Sequence, residues 1–180
     1  FFQQKHGPAP FDYCWLVYGS QAREDQTMGS DQDNGLLLEK IPNEQQGQYF
    51  ADMSDYVCKG LNKCGIALCT GNIMASNPEL RLSIEQAINQ AHNWVDTPDP
   101  KALLSFNIFL DVRAVAGNIT LLKQLHQARS LLFKQSRFLA LLTRQVHDFH
   151  VPLTLFKRFS FDKGSEDAIN LKKGAVVIIN

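Results

Sequence analysis

The constraint that most limits how this chain can fold lies in residues 13–38. There the apolar run Y-C-W-L-V-Y stops abruptly at Gly19-Ser20, and a second run, Leu36-Leu37-Leu38, follows Asp31-Gln32-Asp33. An apolar run closed by Gly-Ser is how a buried strand hands over to a turn and then a helix. If residues 31–38 form a strand, side chains alternate between its faces, so Asp31 and Asp33 point one way and Gln32 the other. Two like charges side by side repel unless a cation sits between them. Magnesium suits that place, because it takes hard oxygen ligands in octahedral geometry and binds through one or two carboxylates plus substrate phosphates. The Gly19-Ser20 turn supplies the other half: a small residue lets the backbone approach a phosphate, and N–H groups at a helix start point at the anion. Together these residues point to a nucleoside-triphosphate site with its metal, Mg2+ or Mn2+.

Composition narrows the class. At 180 residues, with 44% hydrophobic and 20% charged, the chain reads as one globular domain, or one domain and a small appendage. Lys and Arg number 18 against 18 Asp and Glu, so no global basic excess argues for a nucleic-acid partner. Cys14, Cys58, Cys64 and Cys69 lie in or near apolar runs without a C-x-x-C pair, which reads as small thiols in a reducing compartment rather than a disulfide framework or zinc site. No apolar run approaches the roughly 20 residues that span a bilayer, and no signal-peptide order opens the chain. The expected location is the cytoplasm, with no membrane partner. The chain opens without Met and closes on A-V-V-I-I-N, which reads as a fragment of a longer protein.

Along the chain, Gly7-Pro8-Ala9-Pro10 makes residues 1–10 read as the end of a linker. A first strand is expected over residues 12–18, a short helix over 23–28, a turn at Gly29-Ser30, and a second strand from Asp31 until Ile41-Pro42-Asn43. Apolar spacing predicts helices over residues 46–62 and 83–95, with a short buried strand over 65–70 between them. Residues 103–115 read as a fourth strand carrying Asp111 near its end. From Ile119 the pattern turns helical, with one helix through Leu121, Leu122, Leu125 and Leu132 and another over 138–149, until Val151-Pro152. The order is α+β, an α/β half followed by a helical half.

The motif G-S-x-x-R-x-(D/E)-x(5)-D-x-D, carried by Gly19, Ser20, Arg23, Asp25, Asp31 and Asp33, resembles the signature of the DNA polymerase β-type nucleotidyltransferase superfamily. With Gln26-Thr27, Asn34 and the M-A-S-N-P run at residues 74–78, the chain is similar to a bacterial branch of that superfamily. Members of that branch commonly lie downstream of cyclic-nucleotide-binding and CBS domains and are similar to PII-uridylyltransferases. Gln21-Ala22 departs from the branch's usual Glu-Gly, and Asp25 from its usual Glu. The resemblance implies a polymerase β-like core, a small mixed sheet flanked by helices, over residues 1–116. A truncated helical part would follow over 117–180. It further implies an NTP substrate, a hydroxyl acceptor that could be a protein side chain, and regulatory domains elsewhere in the full-length chain.

The resemblance also implies a third carboxylate on a later strand, able to ligate a second metal or take the acceptor's proton. Asp111 is the candidate, against a salt bridge to Arg113. Asp31 and Asp33 would hold the metal, against an ordinary turn pair. Gly19 and Ser20 would grip the phosphates, and Ser20 is equally a helix N-cap. Arg23 could reach a phosphate but fits better as a partner of an acidic neighbour such as Asp31. Asn77 and Arg81 could touch base, ribose or acceptor, although Asn77 before Pro78 is more naturally a cap. His147 and His150 have no acidic partner at metal-site spacing, and Lys157-Arg158 and Lys172-Lys173 read as solvated surface. The rival reading is a regulatory module that transfers nothing. A helical dimerisation unit over residues 119–149 is compatible with both.

Overall fold

The computed structural model describes residues 1–96 and 110–130. The chain divides into two compact units, Phe1–Lys134 and Gln135–Asn180, and the described residues all belong to the first.

Strand β1, Tyr13–Tyr18, is the centre of a mixed four-stranded sheet. It pairs antiparallel with β2, Asn34–Leu38, on one side and with β4, Val112–Gly117, on the other; β3, Arg81–Ser83, adds to β2 in parallel. The unbroken apolar character of β1 has a direct cause, because helices cover the sheet on both faces. Trp15 and Val17, with Leu36 and Leu38, pack on one face against Phe50, Met53 and Cys58 of α3, Glu44–Lys63. Cys14, Leu16 and Tyr18, with Leu37, pack on the other against Ala87 of α4, Ile84–Asp96, and Leu121, Leu122 and Leu125 of α5, Thr120–Ser130.

Helix α3 starts where the sequence stops the strand. Asn43 and Gln46 form a reciprocal capping box at its N-terminus. Because β2 and β3 run parallel, a crossover must join them, and α3 serves as that crossover. The expected helices over 46–62 and 83–95 are α3 and α4, each within two residues at either end.

Several expectations are corrected. Phe2–His6 is a short helix, α1, rather than linker, because Phe2 is buried against Tyr49 and Tyr56. The helix expected over 23–28 is instead α2, Gly19–Arg23; Gly19 at φ +52 starts it directly after β1, and Glu24 in the left-handed region ends it. Residues 65–70 are not a buried strand: Leu68 is exposed and makes one isolated parallel bridge to Gln32. The third strand of the sheet is Arg81–Ser83, too short for its pattern to register in sequence. β4 begins at Val112, so Asp111 stands just before a strand instead of near the end of one. Residues 103–109, the helix over 138–149, Leu132, the Val151-Pro152 break, His147, His150 and the two lysine-rich pairs lie outside the described residues.

Two glycines are dictated by close approach. A Cβ on Gly35 would collide with the Tyr18 hydroxyl, and one on Gly117, at φ +81, would meet the carbonyl oxygen of Tyr13. Gly60 in α3 has open space around it. Gly35→Ala should therefore lower stability by about 1–3 kcal/mol through overpacking. Gly60→Ala should raise it by about 0.5–1 kcal/mol through helix propensity. Urea denaturation of the two variants checks both signs.

Candidate functional site

The site is built on alternation in four consecutive residues. Gln32 and Asn34 are 0% and 1% exposed, while Asp31 and Asp33 are only half-buried. The buried pair forms an amide chain. Gln32 Nε2 donates to the carbonyls of Cys58 in α3 and Ile66, at 3.1 and 3.2 Å. Asn34 Nδ2 donates to Gln32 Oε1 at 3.2 Å, and Asn34 Oδ1 accepts from the Ala75 amide at 2.8 Å. Backbone bonds from Gln32 N to Ala67 O and from Asn34 N to Ile73 O, both 2.9 Å, tie the same residues to the loop after α3. With Gln32 and Asn34 committed inward, Asp31 and Asp33 are presented together.

The carboxylates of Asp31 and Asp33 and the sulfur of Cys69 lie within 4.8 Å of one another, and they are the one such group of three among the described residues. Burial pushes the Cys69 thiol up to about 11, and its hydrogen bond to Asp33 adds to that, so the sulfur is a protonated donor to the carboxylate. Two half-buried carboxylates are a donor set that fits a hard divalent cation, with the remaining positions left to water and phosphate oxygens.

The Gly19-Ser20 turn is adjacent in register. Tyr18 N donates to Asp33 O and Gly19 N to Asp111 O, both at 3.0 Å, so the turn emerges between the two acidic segments. Asp111 does not join the Asp31/Asp33 group; its carboxylate is bound by Arg23, Nη1 to Oδ2 at 2.5 Å. The sequence paired these residues differently. Arg23 pairs with Asp111 and Asp25, not Asp31, while Arg113 donates to the carbonyls of Gln21 and Ala22 and sits 3.7 Å from Glu24. Burial works against the Arg23 charge, but the bonds to Asp111 and Asp25 outweigh it and raise its pKa. The two arginines thus clamp α2 to the start of β4. Gln21, whose Oε1 is buried with no hydrogen-bond partner among the described residues, is among the residues lining a cavity of about 340 Å³, with Trp15, Val17 and Asn34.

Asn77 and Arg81 spend their side chains on the chain itself. Asn77 caps the 3-10 turn Pro78–Leu80 through Oδ1 and donates to Asn72 O. Arg81 Nη1 donates to the carbonyls of Ala75 and Ser76 at 2.7 and 2.8 Å. Sequence reasoning missed Cys69 as a neighbour of the acidic pair, and no local signal could have found it: 36 positions separate it from Asp33, and the loop after α3 closes that distance.

A small mixed sheet between helical layers, with paired carboxylates beside a Gly-Ser turn on its central strand, defines a nucleotidyltransferase-like α+β core. Residues 1–101 match the family described as putative nucleotidyltransferase DUF294, and the chain belongs to that family. Residues 136–180 match the family described as putative nucleotidyltransferase substrate binding domain. No curated protein and no solved structure matches the chain. Among the described residues no helix is long and apolar enough to cross a membrane.

Asn34→Ala would leave the Ala75 amide without its acceptor and should cost about 1–3 kcal/mol. Hydrogen exchange should show Ala75 and the loop at 64–77 losing protection, while β1 keeps its own.

Proposed function

We propose that this protein is a magnesium-dependent nucleotidyltransferase that moves an NMP unit from an NTP to a hydroxyl acceptor, with pyrophosphate leaving. The observation that carries the reading is the juxtaposition of Asp31 and Asp33 with the Gly19-Ser20 turn, in a chain of this family. Magnesium, held by Asp31 and Asp33, would neutralise the triphosphate and orient it for in-line attack.

The chain's own residues do the rest. Ser20 brings its backbone amide and hydroxyl to the phosphates, and Gly19, whose own amide is bonded to the Asp111 carbonyl, shapes the turn that presents them. Arg23 orients Asp111 through Oδ2, and Asp111 Oδ1, which accepts no hydrogen bond among the described residues, takes the acceptor's proton or completes a second metal position. Asn77 and Arg81 act indirectly, by fixing the turn at 72–77, whose Ile73 carbonyl and Ala75 amide hold Asn34 beside the acidic pair. The match of residues 136–180 to a substrate binding domain supports a nucleotide substrate. The family resemblance supports a protein acceptor and a place in a bacterial signalling protein with cyclic-nucleotide-binding and CBS domains.

Isothermal titration of the four NTPs with magnesium should show one binding in a metal-dependent manner, and Asp31→Asn/Asp33→Asn should abolish that binding. A folded chain that binds no NTP would overturn the reading in favour of a regulatory module.

A further inference from the structure

We propose that the outward face of α3 is a self-association surface, on which a second copy of this chain packs antiparallel across a two-fold axis. Phe50, Met53 and Cys58 turn the inner face of α3 to the sheet. Asp52, Asp55, Tyr56, Lys59 and Lys63 recur at three- and four-residue steps along another face, so they form one stripe. All five line a single groove of about 650 Å³, which also includes Phe2 and His6 of α1.

Two features set this face apart from an ordinary solvated one. Tyr56 is 52% exposed although its ring lies 5.6 Å from that of Phe2, so a large amphipathic side chain stands open at the groove, the kind enriched at interfaces. The second feature is the order of charge, with both acids ahead of both lysines. The helix dipole favours that order only in the first and last turns, and Asp52 and Asp55 lie in the middle of a 20-residue helix. Asp55 and Lys59 are bonded to each other at 2.7 Å and Asp52 accepts from Gln48, while Lys63 forms no ion pair among the described residues.

Charge complementarity selects the occupant. A stripe whose two halves carry opposite charge complements a reversed copy of itself, whereas a partner of one sign meets repulsion at one half and a parallel copy meets it at both. Across a two-fold axis each contact occurs twice. With that axis between the levels of Val57 and Cys58, Asp52 faces Lys63 of the second copy and Tyr56 faces its Lys59. Lys63 thereby gains a carboxylate, and each Tyr56 ring lies against the aliphatic stem and ammonium of a lysine. A helix of 20 residues presents a face only about 30 Å long, at the low end of specific interfaces, so the dimer forms in a concentration-dependent way. The pairing leaves Asp31, Asp33 and the Gly19-Ser20 turn untouched and so stands or falls apart from the transferase.

The test is sedimentation velocity of the 180-residue chain over a concentration series. The wild type should move from monomer to dimer as concentration rises. Lys59→Glu/Lys63→Glu makes the stripe wholly acidic and Asp52→Lys/Asp55→Lys makes it wholly basic; each should weaken self-association about tenfold or more, because like charges then face each other. An equimolar mixture of the two variants should restore a dimer, since each meets its complement. That restoration is a result that damage to the helix could not produce, and thermal melts establish that each variant is folded. A wild type that stays monomeric throughout, or a mixture of folded variants that stays monomeric, overturns the proposal. A dimer that both charge reversals leave intact overturns it too, and moves the interface to another surface such as residues 119–149.

Discussion

The site depends on two buried amides. Gln32 and Asn34 are polar side chains removed from water, and such groups are costly unless every strong donor and acceptor is met. Here they meet each other, a carbonyl of α3, and the loop that follows it. Satisfying them fixes the position of that loop and also the side of the chain on which Asp31 and Asp33 emerge. A shift of one residue in this register would bury two carboxylates and expose two amides, an exchange strongly opposed by desolvation. The polar core is thus what presents the acidic pair.

A second clamp acts from the opposite side of β1. The Gly19 amide is bonded to Asp111, Arg23 reaches the Asp111 carboxylate, and Arg113 holds the carbonyls at the end of α2. The Gly-Ser turn is therefore held between two acidic segments, each bonded to the central strand or the residue just after it.

Sequence and structure agree where the pattern is local. The run at residues 13–18 gave a buried central strand because both faces are covered, and the spacing of Phe50, Met53 and Cys58 places them on the inner face of α3. Asp31 and Asp33 were expected to share a side, and strand-like alternation places them in one group. The misreadings arose where the partner was distant. Arg23 was expected to pair with an acidic neighbour such as Asp31; the neighbour it meets is Asp25, and its other partner, Asp111, lies 88 positions away. Residues 65–70 looked like a core strand, yet with one bridge and an exposed Leu68 they serve to place Cys69.

The sequence by itself determined the alternation of acid and amide, the strand-to-turn break at Gly19 and the side-chain caps at Asn43 and Asn77, while Ser20, a cap in its local pattern, lies inside α2. These follow from backbone periodicity and local hydrogen bonding, which act over a few residues. Tertiary structure alone decided which residues surround the carboxylates. The crossover through α3 and the order β3-β2-β1-β4 bring Cys69, Ala75 and Asp111 to positions that no local pattern encodes. Those contacts are set by how whole elements pack, and packing of that range leaves no periodic mark on the sequence that carries it.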